Sequence, residues 1–152
     1  MKKYKLLRGK NPQGLHQIQA IRNIPGICTT GDFGGWIESE ANLSQDGNAW
    51  VSGNAWVSGN ARVYGSAWVS GNAWKKSPLY IQGTRNSITT SSHTLISIGC
   101  EMHTVTEWLK KYKAIGRLHG YSKSEIEEYG RHLQYTSAWL KKMFPGKKTV
   151  KK

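Results

Sequence analysis

The chain has 152 residues, of which 38% are hydrophobic, and its 22 Lys and Arg against 9 Asp and Glu give a formal net charge of +13. This length allows one core with an appended element, and the mean hydropathy of −0.58 indicates that part of the chain is repetitive or thinly packed. No apolar run is long enough for a membrane helix, and no apolar segment follows the basic N-terminus, so we expect a cytoplasmic protein of a bacterium or phage-infected cell. The positive charge favours anionic partners, such as nucleotides, nucleic acid or an acidic protein.

Residues 1–35 are predicted to form a β-hairpin that caps one end of the segment that follows. Two strand-like stretches, KYKLL and LHQIQAIR, flank the turn sequence KNPQG. Cys28 lies in this segment and Cys100 is far from it in sequence, so neither belongs to a CxxC pair and we expect both thiols to be reduced.

Residues 36–103 are predicted to form a left-handed parallel β-helix, because the sequence between 48 and 74 repeats every six residues. Each unit places a valine four positions before an alanine, as at Val51 and Ala55. In this architecture each unit supplies one short strand and one corner of a triangular coil, so the valine fills the interior and the alanine fits beneath the corner. Two extra residues near Asp46–Gly47 predict a bulge. The β-branched residues between 79 and 100 are expected to continue or cap the coils.

The residues just before the valines are predicted to face outward, and positions three hexads apart to stack from one coil to the next. The predicted ladders are Trp36, Trp56 and Trp74 on one side, Trp50 and Trp68 on a second side, and Arg62 with Tyr80 on the third. An apolar surface of this size is seldom left in water. The five tryptophans therefore predict a subunit interface, with a trimer favoured, a platform that stacks on ligand rings, or a surface that the C-terminal helices cover.

The hydrophobic period changes to that of an α-helix beyond position 104, which predicts a helical hairpin over residues 104–144. Capping-box pairs, Thr104 with Glu107 and Ser122 with Glu125, predict where the two helices begin. Gly116 is expected to end the first helix. The predicted apolar faces are Val105, Trp108, Leu109, Tyr112 and Ile115 on the first helix and Ile126, Tyr129, Leu133, Leu140 and Phe144 on the second. The lysine-rich residues 145–152 are predicted to be a disordered basic tail.

The segment from Ile21 to Trp74 resembles small hexapeptide-repeat proteins of bacteriophages and prophages, which are often described as polymer-forming. The similarity is carried by GDFGGWIESEANLS and the GNAW and GNAR units, and IQGTR and the helical WLKKYKAIG and GYSKSEIEEYG extend it over most of the chain. The resemblance implies a left-handed β-helix and a phage or mobile-element origin. It implies no activity.

The basic and aromatic residues on the repeats predict a non-enzymatic, oligomeric protein that binds an anionic nucleotide-type ligand without a cofactor. With the phage-like resemblance, this favours interference with host defence by sequestering a phosphorylated, cyclic nucleotide signal. The candidate ligand-binding residues are Trp56, Arg62, Trp74, Lys75, Lys76, Tyr80 and Arg85. The candidate interface residues are Trp36, Trp50, Trp56, Trp68 and Trp74.

Three alternatives stay open, namely an inhibitor that binds a host defence protein complex, a hexapeptide-repeat acyltransferase and a purely structural role in the virion. The acyltransferase would use His93 or His103 as its base, although neither has a carboxylate at an obvious orienting spacing. Cys100 and His103 have a spacing that could suit a metal, but a second pair of ligands is missing unless His93 or Cys28 joins them. We therefore predict no metal site from the sequence.

Overall fold

The structure is a computed structural model that describes residues 2–145, and it is mainly β with two C-terminal helices, as the sequence predicts. Of the predicted basic tail, residues 146–152 lie outside the described residues. In chain order the strands are β1 (Tyr4–Lys10), β2 (His16–Ala20), β3 (Phe33–Ile37), β4 (Trp50–Val51), β5 (Trp56–Val57), β6 (Trp68–Val69), β7 (Ala73–Trp74), β8 (Tyr80–Gln82), β9 (Ser87–Thr90), β10 (Leu95–Ile98) and β11 (Glu101–Thr104). The helices are α1 (Val105–Leu118) and α2 (Lys123–Met143), and a short 3₁₀ helix spans Glu40–Asn42.

The N-terminal segment forms the expected hairpin, because β1 and β2 pair antiparallel. Its turn is closed by Asn11, whose side-chain oxygen accepts the backbone N–H groups of Gln13 and Leu15. Strand β2 then pairs antiparallel with β3, which pairs in parallel with β5 of the repeats. The hairpin therefore extends one sheet of the repeats in the strand order β1-β2-β3-β5-β7.

The hexads stack in parallel with the offsets that the sequence predicts, up to the last one. Across the two-residue insertion Trp36 pairs with Trp56, so this offset is three hexads plus the two inserted positions. After the insertion Trp50 pairs with Trp68, and the offset is three hexads alone. The repeat valines Val51, Val57, Val63 and Val69 are all fully buried, so they form the apolar interior between the short strands.

The parallel pairing ends at Trp74, so the predicted β-helix does not continue to residue 103; of the two expectations for residues 79–100, continuing or capping the coils, the structure contradicts the first. Strands β8 to β11 pair antiparallel in sequence order and form a four-stranded meander. Their connections are short, and a two-residue turn at Gly99–Cys100 joins β10 to β11. A tight turn of this kind can link only antiparallel neighbours, because a parallel return needs a long crossover.

Both helices begin at the predicted capping boxes, with Thr104 accepting from the backbone of Glu107 and Ser122 from that of Glu125. Gly116 does not end α1, which continues to Leu118. It lies instead where the helices approach closely, since a Cβ there would come within 2.9 Å of Ile126. The left-handed Gly120, with φ of 75°, turns the chain toward α2.

The helices pack on the meander and form a second core beside that of the repeats. Trp108, Tyr129, Leu133 and Leu140 bury their side chains against Ile88 and other apolar residues of the meander. Leu109, predicted on the same face, is 41% exposed. No helix within residues 2–145 is both long and apolar enough to cross a membrane.

Candidate functional site

The predicted tryptophan ladders are present in part. Trp36 lies beside Trp56 and Trp50 lies beside Trp68 in parallel strand pairs. Trp36, Trp56 and Trp68 are each half-buried, so part of each ring reaches the surface. An interface between subunits at these three residues stays a prediction.

Trp74 is buried, which corrects its assignment to both the ligand site and the interface. Ala73 pairs with Trp56, and Trp74 pairs with Val57, so the offset here is one position short of three hexads. A shift of one residue turns a side chain to the opposite face of a strand. The indole therefore points into the interior, where it is fully buried and donates from Nε1 to the Gly71 carbonyl at 2.8 Å.

The shift arises at the corner that precedes Trp74. In three earlier hexads the corner residue with positive φ is the glycine, at Gly53, Gly59 and Gly65. In the last hexad Gly71 is not left-handed and Asn72 takes this conformation, with φ of 67°. Asparagine tolerates the left-handed region, and the Asn72 side chain accepts the His93 backbone N–H at 2.7 Å. The corner thus moves one residue along the chain, and Trp74 closes the end of the valine interior.

Trp50 is also buried and cannot contribute to an exposed interface, contrary to the prediction. Only 1% of it is exposed, because the N-terminal strand β1 covers it. Tyr4 packs edge-on against its ring with centroids 6.4 Å apart. Neighbouring Lys3 is fully buried and donates from Nζ to the Ala49 carbonyl at 2.5 Å. The N-terminal hairpin is therefore the element that packs on this tryptophan, whereas Phe144 at the end of α2 packs on Trp74.

Four of the predicted ligand residues lie together along the third side of the repeats. We call this surface the basic edge, and it consists of Arg62, Tyr64, Lys75, Lys76 and Tyr80. The Arg62 backbone N–H donates to Ser77 Oγ at 2.8 Å, which joins the strip at 62–65 to the strip at 75–80. Within this surface the rings of Tyr64 and Tyr80 lie 5.7 Å apart.

The basic edge combines exposed cations with an accessible aromatic ring. Arg62, Lys75 and Lys76 are exposed, and Tyr64 is 54% exposed. Tyr64 was not predicted as a ligand residue, although its place directly after Val63 in the repeat could have suggested an outward ring. Residues 47–100 contain Arg62, Lys75, Lys76 and Arg85 and no Asp or Glu, although the Glu38 carboxylate reaches the repeats and accepts the Gly59 backbone N–H at 3.2 Å.

A groove of about 630 Å³ lies between the repeats, the meander and the segment Pro25–Ile27. One wall carries Trp68, which is held in place because its Nε1 donates to Ser52 Oγ at 3.0 Å. The opposite wall carries Gln82, whose side chain accepts a hydrogen bond from the Tyr80 hydroxyl at 2.7 Å. The groove therefore adjoins the basic edge at Tyr80, and its volume falls in the range typical of small-ligand sites.

Arg85 lines this groove, but its guanidinium is largely engaged by the helical hairpin. Its two terminal nitrogens donate to the carbonyls of Gly120 at 3.0 Å and His119 at 3.2 Å, and Nη1 also contacts Glu125 at 3.4 Å. The group lies over the Tyr121 ring at 4.6 Å from its centroid. These contacts assign Arg85 a role in holding the α1–α2 connection, and they leave less of its charge for a phosphate.

The two histidines considered as catalytic bases lie in different surroundings. His93 stacks on Phe144 with ring centroids 3.6 Å apart, and burial lowers its pKa. His103 donates from Nε2 to the Glu101 carboxylate at 2.8 Å, a pairing that was not predicted. The pairing could have been predicted from their spacing, since residues i and i+2 of a strand share a face. The Glu101 contact engages Nε2 of His103, and the ring packs edge-on against Trp108 with centroids 5.0 Å apart.

No protein-family model and no curated protein matches the chain, and no solved structure matches its fold.

Proposed function

We propose that the protein binds a phosphorylated nucleotide-type ligand on the basic edge and in the adjoining groove, without catalysing a reaction. The observation that carries this proposal is the Tyr64–Tyr80 ring pair beside Arg62, Lys75 and Lys76, in a stretch that lacks acidic residues. Aromatic faces that stack on bases and cations that contact phosphates are the two elements of sites that bind nucleotides and single strands. In this proposal Trp68, on the groove wall, offers a further ring for stacking.

The repeats are further proposed to form a short left-handed β-helix over residues 36–74. The parallel pairing of Trp50 with Trp68, three hexads further on, and the buried valines support a coil of three hexads. With the resemblance to phage proteins, this architecture favours a ligand that is a signal of host defence, such as a cyclic oligonucleotide. A crystal structure would test the handedness, and a right-handed connection between strands would contradict it.

Binding can be tested with a short labelled oligothymidylate and a set of cyclic di- and trinucleotides, by fluorescence anisotropy and isothermal titration. The variant to compare is Arg62→Gln/Lys75→Gln/Lys76→Gln. For a single strand each neutralised phosphate contributes about 0.7 to the dependence of log affinity on log salt, so loss of three contacts should lower that slope by about 2. Affinity at low salt should fall at least tenfold.

The matched control removes three lysines from the exposed surface of α1, in Lys110→Gln/Lys111→Gln/Lys113→Gln. Both triple variants lower the net charge equally, so the control separates a local site from a general electrostatic effect. Tyr64→Ala should weaken binding by about tenfold, because one stacked base contributes ~1–3 kcal/mol. Equal losses in the two triple variants, or no binding of any probe by the natural protein, would contradict the proposal and leave a host defence protein as the alternative partner.

A further inference from the structure

Three potential metal ligands converge where the meander meets the end of α1. Cys100 and Glu101 lie at the tight turn between β10 and β11, where Gly99 adopts φ of 57°. His119 directly follows the last residue of α1. The Cys100 sulfur, a carboxylate oxygen of Glu101 and a ring nitrogen of His119 all lie within 4.8 Å of one another. His119 is separated from the other two in sequence by the whole of α1, and the fold brings the three together.

The donors suit a transition-metal dication better than Mg²⁺ or Ca²⁺. A thiolate with an imidazole and a carboxylate is a typical set for Zn²⁺, and the two anionic ligands would neutralise its charge. Ligands of a tetrahedral zinc ion lie about 3.3–3.8 Å from one another. The hydrogen-bonded pair of His119 Nε2 and Glu101 Oε2, 2.8 Å apart, would open slightly to admit the ion, and small side-chain rotations would bring the Cys100 sulfur into range. The position at the C-terminal end of α1 also favours a cation, because the helix dipole is negative there.

The surroundings hold these three residues in place. Arg85 donates to the carbonyls of His119 and Gly120, which fixes the backbone at and after His119. Asn86, the next residue, lies against Gly99, where a Cβ would be 3.3 Å from its side chain. His103 donates to Glu101 Oε1 while His119 contacts Oε2, each at 2.8 Å. Arg85 and Asn86 thus contact both the His119 side and the Gly99 side of the cluster, and His103 orients the Glu101 carboxylate.

We propose that Cys100, Glu101 and His119 bind one Zn²⁺ ion per chain, with His103 as a positioning residue for Glu101. The ion would link the β10–β11 turn to the end of α1, and three protein ligands would leave a fourth coordination position for water or another donor. This proposal is independent of nucleotide binding at the basic edge.

The test uses the untagged full chain, reduced without a thiol reagent, and titrated with Zn²⁺ by calorimetry and with Co²⁺ by absorbance. The expected result is one ion per chain, with a thiolate-to-cobalt charge-transfer band and the intense d–d bands of tetrahedral coordination. Cys100→Ser should abolish the charge-transfer band, and it and His119→Gln should each weaken Zn²⁺ binding by at least 100-fold. His103→Gln should weaken it about tenfold, the range for residues that orient a ligand.

Matched controls are Cys28→Ser, at the other cysteine, and His132→Gln, whose histidine makes a similar 2.8 Å contact with Glu128 away from this cluster. Neither should change binding. X-ray absorption of the zinc-loaded natural protein tests the proposal without any variant. The expected first shell of the zinc ion contains one sulfur at about 2.3 Å and nitrogen or oxygen atoms at about 2.0 Å. A shell without sulfur, a charge-transfer band that survives in Cys100→Ser, or no stoichiometric binding would overturn the proposal and leave a hydrogen-bonded Glu101 network only.

Discussion

Replacing Trp74 with alanine tests directly whether this ring fills the interior of the repeats. The side chain is fully buried, and its edge contacts include Phe144 at a centroid distance of 5.2 Å and His93 at 4.9 Å. Burial of a tryptophan removes roughly 200 Å² from water, which at ~25 cal/mol per Å² amounts to about 5 kcal/mol. Measured Trp→Ala costs of ~3–5 kcal/mol in protein cores agree with this figure.

The loss should be large compared with the stability of the whole chain. Domains of this size unfold with a free energy of about 5–15 kcal/mol, so Trp74→Ala should remove a third or more of it. The Gly71 carbonyl would also lose the hydrogen bond from the indole. Urea denaturation followed by far-ultraviolet circular dichroism is the appropriate assay, because removal of a tryptophan changes the fluorescence signal itself.

Trp56→Ala is the matched control, since Trp56 lies on the neighbouring strand of the same sheet and is half-buried. Its replacement should cost about half as much, in proportion to the area lost. A Trp56→Ala variant that is destabilised as strongly as Trp74→Ala, or more strongly, would refute the inward orientation. That result would support an unbroken three-hexad offset and an outward Trp74.

Two further predictions concern polar groups that the fold encloses. Burial, and after it the nearby Arg22, lower the pKa of Lys3 from 10.5 to about 8. Between these two pH values the unfolded chain binds one proton more than the folded chain, so the free energy of unfolding of the natural protein, relative to Lys3→Met, should rise by up to about 3 kcal/mol from pH 8 to pH 10.5. A difference in urea denaturation that does not change with pH would contradict this. The Tyr129 hydroxyl accepts hydrogen bonds from the backbone N–H groups of Arg85 and Asn86 and donates one to the Asn86 carbonyl. Tyr129→Phe should therefore lower the free energy of unfolding by about 1–3 kcal/mol in the same assay. Tyr135→Phe, at an exposed tyrosine, should have no effect, and equal effects of the two replacements would argue against these hydrogen bonds.

The sequence predicted correctly those features that depend only on residues near one another in the chain, namely the repeat period, the insertion and the helix starts. The six-residue period determines which side chains alternate inward, so the buried valines followed from the sequence alone. The two-residue insertion near Gly47 is visible as a lengthened spacing, and it accounts for the longer offset of the Trp36–Trp56 pair compared with the Trp50–Trp68 pair. The capping boxes at Thr104 and Ser122 depend on residues three positions apart, and both form as predicted.

The site depended on contacts that no local pattern contains. The change of corner from Gly71 to Asn72 is linked to a hydrogen bond from the distant His93, and it turned Trp74 from the surface to the interior. Trp50 is buried because a strand near the N-terminus crosses it, and Arg85 is engaged by carbonyls of the helical connection. The six-residue period, and with it the alternation of side chains along each strand, can be read from the chain alone. Which outward positions stay exposed and which distant residues meet can be seen only in the folded protein, because these depend on how separate elements pack together.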